Sequence, residues 1–194
     1  MQFLEEFRSF RQAANFENKA VTLFGSARLE LDSFHCQKAR EVAKKLSENG
    51  IAVLTGGGDG VMGAANMGAS EGGAPSVAFN IRLPFEQATN PYATHSFLFT
   101  NFSPRKFALI ERSVAFVVFA GGFGTLDELF EVLVLVQTGM KDAKIFLVGE
   151  QFWKPLDEFI KTTLIDEKLI SKDDVKFYTI TDDVEFIVSE ILRI

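Results

Sequence analysis

The sequence holds one cysteine, Cys36, and two histidines, His35 and His95, in 194 residues. A single thiol excludes an internal disulfide framework and is the usage expected of a reducing cytoplasm. His35 and His95 stand far apart and lack metal-ligand spacing, so neither reads as a ligand, and no metal or cofactor is expected. Cys36 falls on an expected helix with no activating motif and should simply pack. Positive charge is also short: 20 Lys and Arg against 26 Asp and Glu leave a net charge of −6. That balance argues against nucleic acid or an anionic membrane surface as the main partner. It leaves room for a small phosphorylated ligand, which needs only local positive charge. No apolar run approaches the ~20 residues of a spanning helix. The stretch Met1–Phe16 carries charges throughout, unlike a signal peptide. The expected setting is the cytoplasm.

What is present is apolar: 47% hydrophobic residues and 21 Phe exclude disorder and supply one domain over residues 1–194 with a sizeable core. Phe3, Phe7 and Phe10 share one face of an N-terminal amphipathic helix within residues 1–19, packed on the domain or on a second subunit. Strands are expected at Ala20–Phe24, Ile51–Thr55, Pro75–Ile81, Phe97–Asn101, Val114–Phe119, Lys144–Val148 and Lys176–Ile180. Helices are expected at Asp32–Asn49, Val61–Glu71, from Ser103-Pro104, through Leu129–Thr138, near Lys154–Glu167 and at Asp182–Leu192. Strands alternating with helices predict an α/β fold, a doubly wound parallel sheet with helices on both faces. Ligands bind such sheets beyond the carboxyl ends of the strands. The glycine-bearing turns at Gly25, Gly56 and Gly121 all fall at such ends, and Arg82–Ser96 reads as a long, functional loop.

The chain centres on Ala120-Gly121-Gly122-Phe123-Gly124-Thr125-Leu126-Asp127-Glu128. Three glycines and a Thr at a strand-to-helix turn allow backbone N–H groups to converge on an anion. Glu128 would then stand one turn further in. Thr125 and Glu128 also have the spacing of a capping box, in which the Glu returns to the backbone N–H of the cap. Glu131, three residues on, is a possible second carboxylate of the site or a solvated side chain. Arg105 and Lys106 occupy the first turn of a helix capped by Ser103, where the macrodipole disfavours cations. They are either a solvated helix end or face an anion held by the Gly121 turn. Gly58-Asp59-Gly60-Val61-Met62-Gly63 fits G-x-G-x-x-G, but it follows the second strand, and Glu86, at the distance of a ribose-binding acid, falls in a loop. A nicotinamide or flavin site is therefore disfavoured. Ser26 has no base to make it a nucleophile, so it reads as a hydrogen-bonding residue.

The central nonapeptide resembles the PGGxGTxxE signature of the LOG (Lonely Guy) family, nucleoside 5′-monophosphate phosphoribohydrolases that include cytokinin-activating enzymes. Arg105-Lys106 falls where that family has its Arg-Lys pair. Thr55-Gly56-Gly57-Gly58, Ala64-Ala65-Asn66, Asn80–Gln87 and Asn90-Pro91-Tyr92 are similar to its bacterial members. The resemblance runs from about Val21 to the C-terminus. It implies a Rossmann-like fold and a homodimer or larger assembly with sites near the interface. It also implies that Gly121, Gly122, Gly124 and Thr125 hold a 5′-phosphate, that Glu128 and Arg105 are catalytic, and that Gly25, Ser26, Gly57 and Lys106 line the nucleotide pocket. Ala120 replaces the motif proline and Asp59 stands where many bacterial members have proline. Some members carry a "lysine decarboxylase" label, yet nothing in the sequence suggests a pyridoxal-phosphate lysine.

The chemistry suits these residue types. Cleaving an N-glycosidic bond passes through an oxocarbenium-like state that a carboxylate near C1′ stabilises. Arg105 would serve the departing base as a charged donor rather than as an acid. The expectation is hydrolysis of an AMP-like nucleotide, with N6-modified AMP included, to free base and ribose 5-phosphate. The alternative is a non-catalytic binder or carrier of a nucleotide or phosphorylated cofactor on the same fold.

Overall fold

Runs such as Ala20–Phe24 and Ser113–Val118 offer no polar side to water, so a sheet built from them needs helices on both faces. The computed structural model, which describes residues 2–13, 15–84 and 90–194, has that construction. Glu86 and the end of the Asn80–Gln87 stretch lie outside the described residues.

The elements follow in the order α1 (Gln2–Ala13), β1 (Ala20–Phe24), α2 (Phe34–Glu48), β2 (Ala52–Thr55), α3 (Gly60–Gly72), β3 (Ser76–Ile81) and β4 (His95–Phe99). After them come α4 (Phe102–Glu111), β5 (Ser113–Val118), α5 (Phe123–Gln137), β6 (Lys144–Leu147), α6 (Glu150–Phe159), β7 (Tyr178–Ile180) and α7 (Val184–Leu192). The seven strands form one sheet in the order β4-β3-β2-β1-β5-β6-β7, and every neighbouring pair is parallel. The chain walks outward from β1 to β4, then crosses back to lay β5 on the other side of β1. The β1/β5 junction is therefore the point where the winding reverses, and crevices open there at the carboxyl ends of the strands.

Two cores flank this Rossmann-like sheet. On one face Val21, Leu23, Val53 and Val117 meet Val42 and Leu46 of α2, Ala65 of α3 and Ile187 of α7. On the other, Phe24, Leu54, Phe79 and Phe116 meet Phe10 of α1, Leu109 of α4, Leu129 of α5 and Trp153 of α6. Full burial of one such side chain contributes about 1.5–3 kcal/mol. The small residues of α3 let it approach α2 closely: a Cβ on Gly68 would sit 2.1 Å from the Arg40 carbonyl oxygen. Asn66, fully buried on α3, pins that helix to the sheet through Thr55 Oγ1, Ser76 Oγ and the Val77 carbonyl.

The N-terminal helix packs on its own domain. Phe10 is fully buried, Phe7 meets Phe107 edge-on at 5.4 Å, and the buried Glu6 carboxylate accepts bonds from Thr100 and Asn101. Those bonds hold the Glu6 carboxyl below its usual range against the opposing effect of burial. They also explain two corrections. The strand expected at Phe97–Asn101 lies at His95–Phe99, and the helix expected to be capped by Ser103 starts at Phe102 with Asn101 at its N-cap. Glu6 engages residues 100 and 101 just after the strand ends, so the helix begins two residues early. Arg105 is consequently the fourth residue of the helix, at the end of its first turn, and Lys106 lies beyond it, where the helix dipole weakens. The helix expected near Lys154 starts at Glu150, because Asp182 Oδ1 accepts from the N–H groups of Gly149 and Glu150.

Among the described residues no helix is long and apolar enough to cross a membrane, and no cluster of three His, Cys, Asp or Glu is placed to hold a metal. Cys36 is buried in α2.

Candidate active site

Two loops meet at the β1/β5 junction. Ser26 N–H donates to the Ala120 carbonyl at 3.0 Å, and the Ser26 carbonyl accepts from Val61 N–H at 3.0 Å, tying both to the start of α3. Gly60, at φ +58°, passes so close to Ser26 that a Cβ would lie 2.4 Å from the Ser26 oxygen. Ser26 Oγ accepts from Arg28 N–H, so its hydroxyl shapes the loop locally.

Between these loops lies a cavity of about 570 Å³, within the range of small-molecule sites. Gly25, Ser26, Ala27 and Arg28 form one wall, and Gly122 through Leu126 form the other. Met62, Arg105 and Glu128 complete the lining. The second wall is the start of α5. Gly122 is its N-cap, and the first intrahelical bond runs from Leu126 N–H to the Gly122 carbonyl. The N–H groups of Phe123, Gly124 and Thr125 therefore have no carbonyl partner within the helix and border the cavity. A Cβ on Gly122 or Gly124 would meet nothing within 4 Å, so neither glycine is required by packing; their bareness leaves the cavity open to a ligand. Gly121 differs: its Cβ would lie 2.1 Å from Thr125 Oγ1, so it packs behind the turn.

This helix start removes the capping-box reading. Thr125 is the third helical residue and Glu128 the sixth, so the Glu128 carboxylate cannot return to the cap. It turns inward instead, its side chain 13% exposed, with Oε1 3.5 Å from Arg105 Nη1. Burial raises its pKa from 4.5 to about 7, and Arg105 only partly opposes that rise. Arg105 is held by three elements: Nε donates to the Phe79 carbonyl at 2.7 Å, Nη2 to the Gly56 carbonyl at 3.3 Å, and Nη1 faces Glu128. Burial lowers the pKa of this guanidinium, and Glu128 opposes the shift.

The structure thus brings Gly25, Ser26, Arg105, Gly122, Gly124, Thr125 and Glu128 to one cavity. Gly57, Gly121, Lys106 and Glu131 are not among its lining residues. Gly57, at φ +74°, is turned toward Asn80, whose Nδ2 donates to the Gly57 carbonyl. Lys106 is paired with Asp127 and Glu131 beside the cavity. Arg28, Met62 and Phe123 line it without having been singled out from the sequence. Met62 lies inside the G-x-G-x-x-G match and Arg28 in the first strand-to-helix loop, which are the signals that mark them. Among the described residues no lysine lines the cavity.

A family model described as possible lysine decarboxylase matches residues 62–191 of the 194. The chain belongs to this family, the LOG family. A LOG relative from rice (Oryza sativa subsp. japonica), named cytokinin riboside 5′-monophosphate phosphoribohydrolase, is 29% identical over 153 residues. That match covers 77% of this chain and 62% of the rice protein. Matches to two further curated relatives cover 41% and 51% of their lengths, so the chain spans about half the length of the curated relatives it matches. Among solved structures, the structural-genomics target TM1055 is 26% identical with a TM-score of 0.68, over 91% of this chain and 99% of that one. The molybdenum cofactor carrier protein of Chlamydomonas reinhardtii also gives a TM-score of 0.68, at 20% identity, over 91% of this chain and 98% of its own. The second likeness is one of fold.

Proposed function

We propose that this LOG-family chain hydrolyses the N-glycosidic bond of a nucleoside 5′-monophosphate, releasing free base and ribose 5-phosphate. One observation carries the reading: a buried carboxylate with its pKa near 7, Glu128, faces a buried guanidinium, Arg105, in a cavity walled by a bare helix N-terminus. A carrier needs no such carboxylate beside its ligand.

The 5′-phosphate would sit on the N–H groups of Phe123, Gly124 and Thr125, where the helix dipole favours an anion. Binding energy from that end fixes the ribose over Glu128 without touching the bond that breaks. As the C1′–N bond lengthens, its electron pair leaves with the base and positive charge develops at C1′. Ionised Glu128 stabilises that charge. Water then bonds to C1′ through oxygen and gives its proton to Glu128, whose pKa near neutrality suits a general base. The proton is passed on to the departing base, and Arg105 stabilises the negative charge on its nitrogen as a fixed donor.

Self-association belongs to the same proposal. It is supported by exposed apolar side chains on neighbouring helices, Phe102 and Phe107 on α4 with Phe130 and Val134 on α5. Light scattering on the purified chain tests it, a monomer at every concentration being the contrary result.

The activity is tested by incubating the protein with AMP, GMP, CMP, UMP and N6-prenylated AMP, scoring base and ribose 5-phosphate. Equimolar release of both from at least one nucleotide is the expected outcome. Saturable binding without release would replace this reading with that of a carrier.

A further inference from the structure

Two adjacent sets of charges link α4 and α5. Arg105 faces Glu128 at the cavity, as described. Its neighbour Lys106 points to the flank of α5, where Nζ lies 3.0 Å from Asp127 Oδ2 and 2.8 Å from Glu131 Oε2. Asp127 and Glu131 are one helical turn apart and so present both carboxylates to one ammonium, while Glu128 projects from the next position round the helix. Lys106 is 20% and Glu131 33% exposed, so their pair is less screened than one in open water, whereas Asp127, 60% exposed, leaves its pair largely screened.

We propose that Lys106 is a positioning residue: it neutralises the two carboxylates that flank Glu128 and holds α5 at the rotation that turns Glu128 toward Arg105. The role differs from contact with a nucleotide, since Lys106 does not border the cavity.

The charges around Glu128 make the consequence calculable in sign. From α4 it is faced by Arg105 and Lys106, and along its own helix by Asp127 and Glu131. Arg28, on the opposite wall, lines the same cavity. Arg105 and Lys106 favour the ionised carboxylate, whereas Asp127 and Glu131 disfavour it. Burial lowers the pKa of Lys106, but its ion pair with Glu131 and its hydrogen-bonded pair with Asp127 outweigh that effect and keep it charged. Removing its charge leaves two uncompensated anions beside a third, buried one.

The experiment is a carbon-13 carboxyl NMR titration of Glu128 in the full chain, with Glu128→Gln used only to assign the resonance. In Lys106→Met the Glu128 midpoint rises, by at least a few tenths of a pH unit, equivalent to about twofold or more in its ionisation constant. Adding Asp127→Asn and Glu131→Gln to that variant brings the midpoint back. The pair Asp127→Asn and Glu131→Gln with Lys106 retained moves it below wild type, and this arm decides the matter should Lys106→Met not fold. An unmoved midpoint in Lys106→Met, or one that stays raised in the triple variant, overturns the proposal.

The effect on turnover rests on the proposed role of Glu128; the titration does not. With AMP as the probe, the acid limb of the kcat profile should follow the NMR midpoint, and Lys106→Arg should restore it. A raised KM with an unmoved profile would make Lys106 a substrate contact and overturn the positioning role. Absence of base release from every variant would remove the hydrolase reading while leaving the titration to decide this one.

Discussion

Arg105 Nη1 stands 3.5 Å from Glu128 Oε1, longer than the 2.7–2.9 Å typical of a charge-assisted bond. The guanidinium is committed elsewhere, to the carbonyl oxygens of Phe79 and Gly56, and so approaches Glu128 without closing on it. That incomplete pairing lets burial dominate the titration of Glu128 and leaves its carboxylate available to a reacting atom.

The first consequence is a pH-dependent stability. The fold raises the Glu128 pKa from 4.5 to about 7, so the folded chain holds this proton more tightly than the unfolded chain does. Between those values the native state carries more protons, and its stability falls as pH rises. The full penalty, up to about 3 kcal/mol, is present above pH ~7 and absent below pH ~4.5. Glu128→Gln should therefore be more stable than wild type at pH 8 and equal to it near pH 4. Urea unfolding at the two pH values checks this; equal stability at pH 8 would contradict it.

Arg105→Met should destabilise the chain by about 2–4 kcal/mol, because it strips the donors from two buried carbonyls, one just after β2 and one within β3. Arg105→Lys keeps the charge but not the planar fork, so it should recover only part of that loss. Chemical denaturation of both variants at pH 5, where Glu128 is neutral, isolates the carbonyl contribution.

The fold was legible because parallel strands buried on both faces are continuous apolar runs, and glycines mark where they end. What escaped was set by distant contacts. The start of α4 moved to Phe102 because Glu6, far earlier in the chain, engages Thr100 and Asn101, and no local pattern around Ser103 encodes that. At the site, Gly122, Gly124, Thr125 and Glu128 were visible as a glycine turn followed by an acid. Whether Thr125 and Glu128 formed a capping box depended on where the helix began, and three glycines make that start ambiguous. Lys106 was visible as a cation beside Arg105. Its partners lie on another helix, so spacing alone could not separate a pocket residue from one pairing Asp127 and Glu131.

The glycines of the central turn divide into two kinds. Neither Gly122→Ala nor Gly124→Ala meets an atom within 4 Å: the first should cost no more than ~1 kcal/mol, alanine being a poorer N-cap than glycine, and the second, within the helix, should raise stability by up to ~1 kcal/mol. Gly121→Ala drives a methyl group into Thr125 and should cost about 1–3 kcal/mol. If the turn holds a phosphate, calorimetric titration with ribose 5-phosphate should show weakened binding in Gly122→Ala and Gly124→Ala despite their stability. Full affinity in both would place the phosphate elsewhere.

The measurement closest to the central claim is single-turnover base release from the best nucleotide of the panel, compared between wild type and Glu128→Gln at pH 7.5. The account predicts retained nucleotide affinity and a rate at least ~10²-fold lower in the variant, as expected for removal of a positioned acid–base group. Undiminished release by Glu128→Gln would contradict it.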